Sequence, residues 1–98
     1  MVTHDELRLL PWAGPDGKPC YLSTNTGDGF VSRLADHVEE MQLRMASKLL
    51  EEALQVLTDG KAGSDELSLL VAQLAGALKD VLRVGTSRGH RLEASEPL

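Results

Sequence analysis

Apolar residues recur at helical spacing through two long stretches, Phe30–Leu57 and Leu67–Val84, separated by the short polar linker Thr58–Ser64. In the first, Val31, Leu34, Val38, Met41 and Met45 follow alternating steps of three and four. Ala46, Leu50, Ala53 and Leu57 continue the stripe one position displaced, with charged residues between. In the second, Leu67, Leu70, Val71, Leu74, Leu78, Val81 and Leu82 form the seam, and Ala72, Ala75, Gly76 and Ala77 permit close approach of another helix. This pattern predicts an antiparallel helical hairpin with helices over 28–58 and 64–84. Asp28 is the expected N-cap of the first helix and Ser64 of the second, where Asp65 and Glu66 complement the positive helix end. Gly60 and Gly63 bracket the linker, and Gly85 reads as a stop. Residues 86–98, with Gly89 and Pro97 and little apolar content, read as a mobile tail.

Residues 7–24 carry a different pattern. Two short runs, Leu7–Ala13 and Lys18–Ser23, flank Gly14-Pro15-Asp16-Gly17, where Pro15 presets φ, Asp16 can bond its own backbone and Gly17 accepts positive φ. A type I turn followed by a bulge at Gly17 sets Trp12 opposite Cys20 and Leu10 opposite Leu22. That register gathers Leu10, Trp12, Cys20 and Leu22 on one face, with Tyr21 as a further aromatic for packing or recognition. Pro11 and Pro19 each remove a ladder donor, which keeps the hairpin short. The chain thus reads as one α+β domain over 1–98, predominantly α, with an N-terminal β-hairpin followed by a long antiparallel helical hairpin. The apolar helix faces exceed what a single hairpin covers, so the expectation is dimerisation into a four-helix bundle. Leu34, Val38, Met41, Met45, Leu67, Val71, Leu74, Leu78 and Val81 are the candidate interface, facing a second copy or a different cytoplasmic protein.

Charge narrows the partners. Fifteen acidic residues against ten basic leave the chain at −5, which argues against non-specific binding to nucleic acid or an anionic membrane surface. The balance shifts along the chain: residues 1–78 carry twelve acids and six bases, and residues 79–98 four bases and three acids. Arg83, Arg88 and Arg91, with His90 nearby, are therefore the candidate contact if the chain touches nucleic acid, although helix-end electrostatics explains them as well. The acidic, polar N-terminus does not resemble a secretory signal and no apolar run is long enough to span a bilayer.

Candidate chemistry is sparse. The single Cys20 precludes an internal disulfide, which suits the cytoplasm. Its neighbours Pro19 and Tyr21 supply no base, so a packed thiol is favoured over a nucleophile. His4, His37 and His90 are scattered without zinc-ligand spacing, and neither a metal nor a cofactor is expected. Gly27-Asp28-Gly29 follows a strand and precedes a helix, but lacks the third glycine of a dinucleotide-binding loop and carries an acid where an anion would sit, so it reads as a cap. No catalytic residue is assigned. The expected function is a non-enzymatic interaction module, an adaptor or regulatory partner. A transcription-linked regulator using the basic C-terminal end is the alternative, and a small enzyme using Cys20 comes third.

The segment Leu10-Pro11-Trp12-Ala13-Gly14-Pro15-Asp16-Gly17-Lys18-Pro19-Cys20-Tyr21-Leu22-Ser23, with Val31–Asp36 and Ser87–Leu92, resembles a group of small actinomycete proteins of unassigned function. The resemblance covers most of the chain. It implies a cytoplasmic bacterial protein and transfers no site.

Overall fold

The computed structural model describes residues 7–23 and 29–95, with side chains as far as Leu92. Strands β1 (Leu7–Ala13) and β2 (Pro19–Ser23) form an antiparallel hairpin, followed by helices α1 (Phe30–Asp59) and α2 (Ser64–Ser95). The helices pack against each other as a hairpin, and β1 is the strand that meets both of them. The molecule is elongated, 61 × 31 × 20 Å.

The turn forms as its residues dictate. The Gly17 N–H donates to the Gly14 carbonyl at 2.9 Å, the Gly14 N–H to the Lys18 carbonyl at 2.9 Å, and Gly17 takes φ +80°. Asp16 accepts from the Lys18 N–H at 3.2 Å. Beyond the turn the register departs from the expected one. Ala13 pairs with Pro19 as the turn requires, but the ladder then shifts, so that Leu9 faces Tyr21, Arg8 faces Leu22 and Leu7 faces Ser23. The extra residues of β1 lie between Leu9 and Ala13, around Pro11. Proline has no N–H to offer the ladder, so the irregularity falls where pairing is already weakest. Leu10 therefore does not oppose Leu22, and the four-residue face of Leu10, Trp12, Cys20 and Leu22 is not built as expected. Leu9, Leu10 and Pro11 are buried, whereas Trp12, Cys20 and Leu22 are half-buried and Tyr21 is exposed.

α1 begins after Gly29, whose extended backbone (φ −66°, ψ 161°) occupies the N-cap position without a side-chain cap bond. Asp28, the expected cap, and most of the Gly27–Gly29 loop lie outside the described residues. α1 ends at Gly60, which adopts φ +70° and returns its N–H to the Val56 carbonyl at 3.0 Å. This left-handed cap is the conformation only glycine takes without steric cost. Ser64 is the first residue of α2, not its cap, since the first turn closes from the Leu67 N–H to the Gly63 carbonyl at 3.0 Å.

The second helix is longer than its composition suggests. α2 passes through Gly85 and Gly89 to Ser95, so residues 86–95 are helix and not a tail. The reason is tertiary: Ser87 is buried and its hydroxyl donates to the Leu9 carbonyl at 2.8 Å, which fixes the last turns against β1. Packing of this kind outweighs glycine's unfavourable helix propensity, about 1 kcal/mol per residue.

The seam between the helices is also not the bulkiest stripe. In α1 the least exposed positions include Ala35, Glu39, Gln42, Ala46, Leu49, Ala53 and Val56, which follow a regular alternation of four and three. In α2 they include Leu70, Leu74, Ala77, Val81, Val84 and Ser87. Leu34, Met41 and Met45 of the expected seam stand outside it, 41%, 44% and 61% exposed.

Candidate functional site: an arginine clamp and an uncovered apolar ridge

Two features stand out, at different places on the hairpin. The first is built around Glu39, whose side chain is 1% exposed. Arg8 reaches it from β1, its Nη2 lying 3.4 Å from Oε2. Arg88 and Arg91 reach it from the last turns of α2, with Arg88 Nε 3.5 Å and Arg91 Nη2 3.4 Å from Oε1. Arg8 is itself only 4% exposed. Its guanidinium donates to the Ser32 carbonyl at 3.0 Å, the Ser32 hydroxyl at 2.9 Å and the Asp36 carboxylate at 2.6 Å. Arg91 also donates to the Ser87 hydroxyl. One strand and both helices are thus joined through a single carboxylate.

Next to this clamp, the Pro11 carbonyl, freed by the bulge, accepts from Gln42 Nε2 of α1 at 2.8 Å and from Arg83 Nη1 of α2 at 3.3 Å. Arg83 also pairs with Asp80 at 3.3 Å. Three buried polar atoms here have no hydrogen-bond partner among the described residues: Arg8 Nε, Glu39 Oε2 and Gln42 Oε1. The group is ionic and tightly enclosed, and its chemistry is that of a fastener. Taking Glu39 away strips the three guanidiniums of their shared acceptor, with Arg8 keeping Asp36 and Ser32; breaking a buried pair costs up to about 3–5 kcal/mol.

Arg83, Arg88 and Arg91, the candidate nucleic-acid contacts, are therefore engaged inside the chain. Cys20 is half-buried in β2 and has no described hydrogen bond to a base. His37 and His90 are exposed, and the described residues contain no group of three or more His, Cys, Asp or Glu able to hold a metal ion. His4 lies outside the described residues. No helix among them is long and apolar enough to cross a membrane.

The second feature is apolar. Of the candidate interface residues, Leu34, Met41, Met45, Leu67, Val71 and Leu78 are exposed, while Val38, Leu74 and Val81 are half-buried. Further along the hairpin Leu50, Leu54, Leu57 and Leu69 are exposed as well. A groove of about 510 Å³ runs between the helices over Met45, Leu49, Gly76 and Ala77, rimmed by Lys48, Glu52 and Asp80. Scattered exposed leucines are ordinary on a monomer; here exposed apolar residues recur along both helices. The signal that would have separated these rows from the seam is the alternation of Ala35, Ala46 and Ala53 with polar residues. A search for bulky residues passes over it.

No family model matches the sequence, and no match is found among the curated proteins or the solved structures.

Proposed function

We propose that this chain is a non-enzymatic protein–protein interaction module that self-associates through the outer apolar faces of its helical hairpin and acts in the cytoplasm as an adaptor or regulatory partner. The observation that carries this reading is the division of labour between stripes. The side of α1 turned to α2 carries Ala35, Glu39, Gln42, Ala46 and Ala53 beside Leu49 and Val56, and Leu34, Met41, Met45, Val71 and Leu78 are left to water. Apolar area is worth about 25 cal/mol per Å² removed from water, so a chain that keeps its largest side chains outside its own core gains most by association. The engagement of Arg88 and Arg91 with Glu39 weakens the nucleic-acid alternative.

The test is the mass of the folded chain in solution. Light scattering after size exclusion at micromolar concentration is expected to give two chains or more, with helical circular dichroism intact. A folded chain that stays at the mass of one copy across that range overturns the proposal.

A further inference from the structure

The last turns of α2 are helical against their own composition. Gly85 and Gly89 each disfavour a helix about fivefold relative to alanine. Packing requires neither, because a Cβ built at either position meets no atom within 4 Å. Three anchors tie these turns to β1, directly or through one carboxylate. The buried Ser87 hydroxyl donates to the Leu9 carbonyl. Arg88 and Arg91, with side chains 51% and 35% exposed, reach Glu39, which Arg8 of β1 helps to enclose.

With β1 lifted away, Ser87 loses its acceptor and Glu39 loses the Arg8 guanidinium. The pairs from Arg88 and Arg91 then become solvent-exposed ion pairs of small worth. What is left is the short segment 85–95 with its two glycines, below the length at which an isolated helix holds in water. The dependence runs the other way as well. A two-stranded hairpin is marginal alone, and this one is fastened to α2 by the Ser87 bond and by Arg83 on the Pro11 carbonyl. By contrast, the seam of Leu49, Ala53 and Val56 with Leu70 and Leu74 is made by the two helices themselves.

We propose that the β-hairpin and segment 85–95 form one switch with two states, docked and helical together or released and unfolded together, while the helices stay paired along the rest of their seam. The switch does not depend on self-association. Linkage makes the coupling reciprocal: whatever displaces the hairpin unwinds the C-terminal turns, and whatever unwinds those turns frees the hairpin. The released state uncovers Leu9, Leu10 and Pro11, which the docked state buries. The glycines set the balance, since alanine at both positions would favour the helical turns about 25-fold.

The experiment is hydrogen exchange of the full chain at dilutions where it is monomeric. Gly89→Ala touches no atom of the hairpin and acts only on the helicity of the C-terminal turns. It is expected to slow exchange of the ladder amides around Leu9 and Tyr21 about fivefold, with both still faster than the amides of Glu39–Ala46. Unchanged exchange at Leu9 and Tyr21, or exchange there no faster than at Glu39–Ala46, overturns the proposal. Gly89→Pro tests the reverse direction by breaking the turns at an exposed position. The emission of Trp12, the one tryptophan of the chain and half-buried in β1, should shift to the red while most of the helical circular dichroism is retained. An unshifted Trp12 emission, or loss of most of the helical signal, overturns the proposal.

Discussion

The two halves of the helical hairpin are held together by different means. At the end covered by β1, Leu9, Leu10, Pro11, Ala35 and Val84 are buried and Glu39 is locked among Arg8, Arg88 and Arg91. At the end near Gly60, Ala53 is the buried residue, and Leu50, Leu54, Leu57, Leu67 and Leu69 face water. The covered half behaves as a domain with its own core. In the uncovered half the helices meet along Ala46, Leu49, Ala53 and Val56 of α1 and Leu70 and Leu74 of α2, with further leucines directed outward. Such a division leaves the end near Gly60 the more weakly held of the two.

The largest effect expected from breaking this contrast is at Glu39. Glu39→Ala removes the one carboxylate shared by three arginines, one of them buried, and should lower stability by about 3–5 kcal/mol in urea denaturation. Leu10→Ala acts in the same half through lost burial and a residual cavity, and should cost about 2–4 kcal/mol by the same measurement. Gly60→Ala comes next, forcing a Cβ into a φ of +70°. The expected loss is about 1 kcal/mol, read as a lowered melting temperature. Leu57→Ala, in the uncovered half, should change stability by less than about 0.5 kcal/mol at dilutions where the chain is monomeric.

Hydrogen exchange sharpens the contrast without any substitution. Amides of α1 around Glu39–Ala46 and of α2 around Val81–Ser87 should be the slowest to exchange, and those flanking Gly60 the fastest. Uniform protection along both helices at high dilution would remove the distinction between the halves.

These differences bear on what the sequence discloses. The turn at Gly14–Gly17 and the linker boundary at Gly60 are legible because each depends on local chemistry, a preset φ or a tolerated positive one. The two helices were legible from their period. The seam was not, because Glu39 is buried only by virtue of Arg8, far before it, and of Arg88 and Arg91, far after it; hydropathy scores such a residue as surface. The end of α2 was misjudged for a related reason. Gly85 and Gly89 weaken a helix locally, and the hydrogen bond from Ser87 to Leu9 that holds this one is formed by a distant strand. For the candidate interface, the period identified bulky residues correctly but could not say which of two parallel stripes the chain would keep for itself.

That bond between Ser87 and the Leu9 carbonyl spans 78 residues, and it sets an order of events during synthesis. At about 5–20 residues per second, β1 is made roughly 4–16 s before the turn of α2 that anchors it. A two-stranded hairpin is marginal alone in water, so for that interval it is an unsupported pair of strands among other emerging chains. Pro11, Pro19 and the irregular pairing between Leu9 and Ala13 withhold the regular row of donors that a neighbouring strand would need to add on. The residues that weaken the hairpin's own ladder thus shield the nascent chain from pairing with its neighbours until its C-terminal helix arrives.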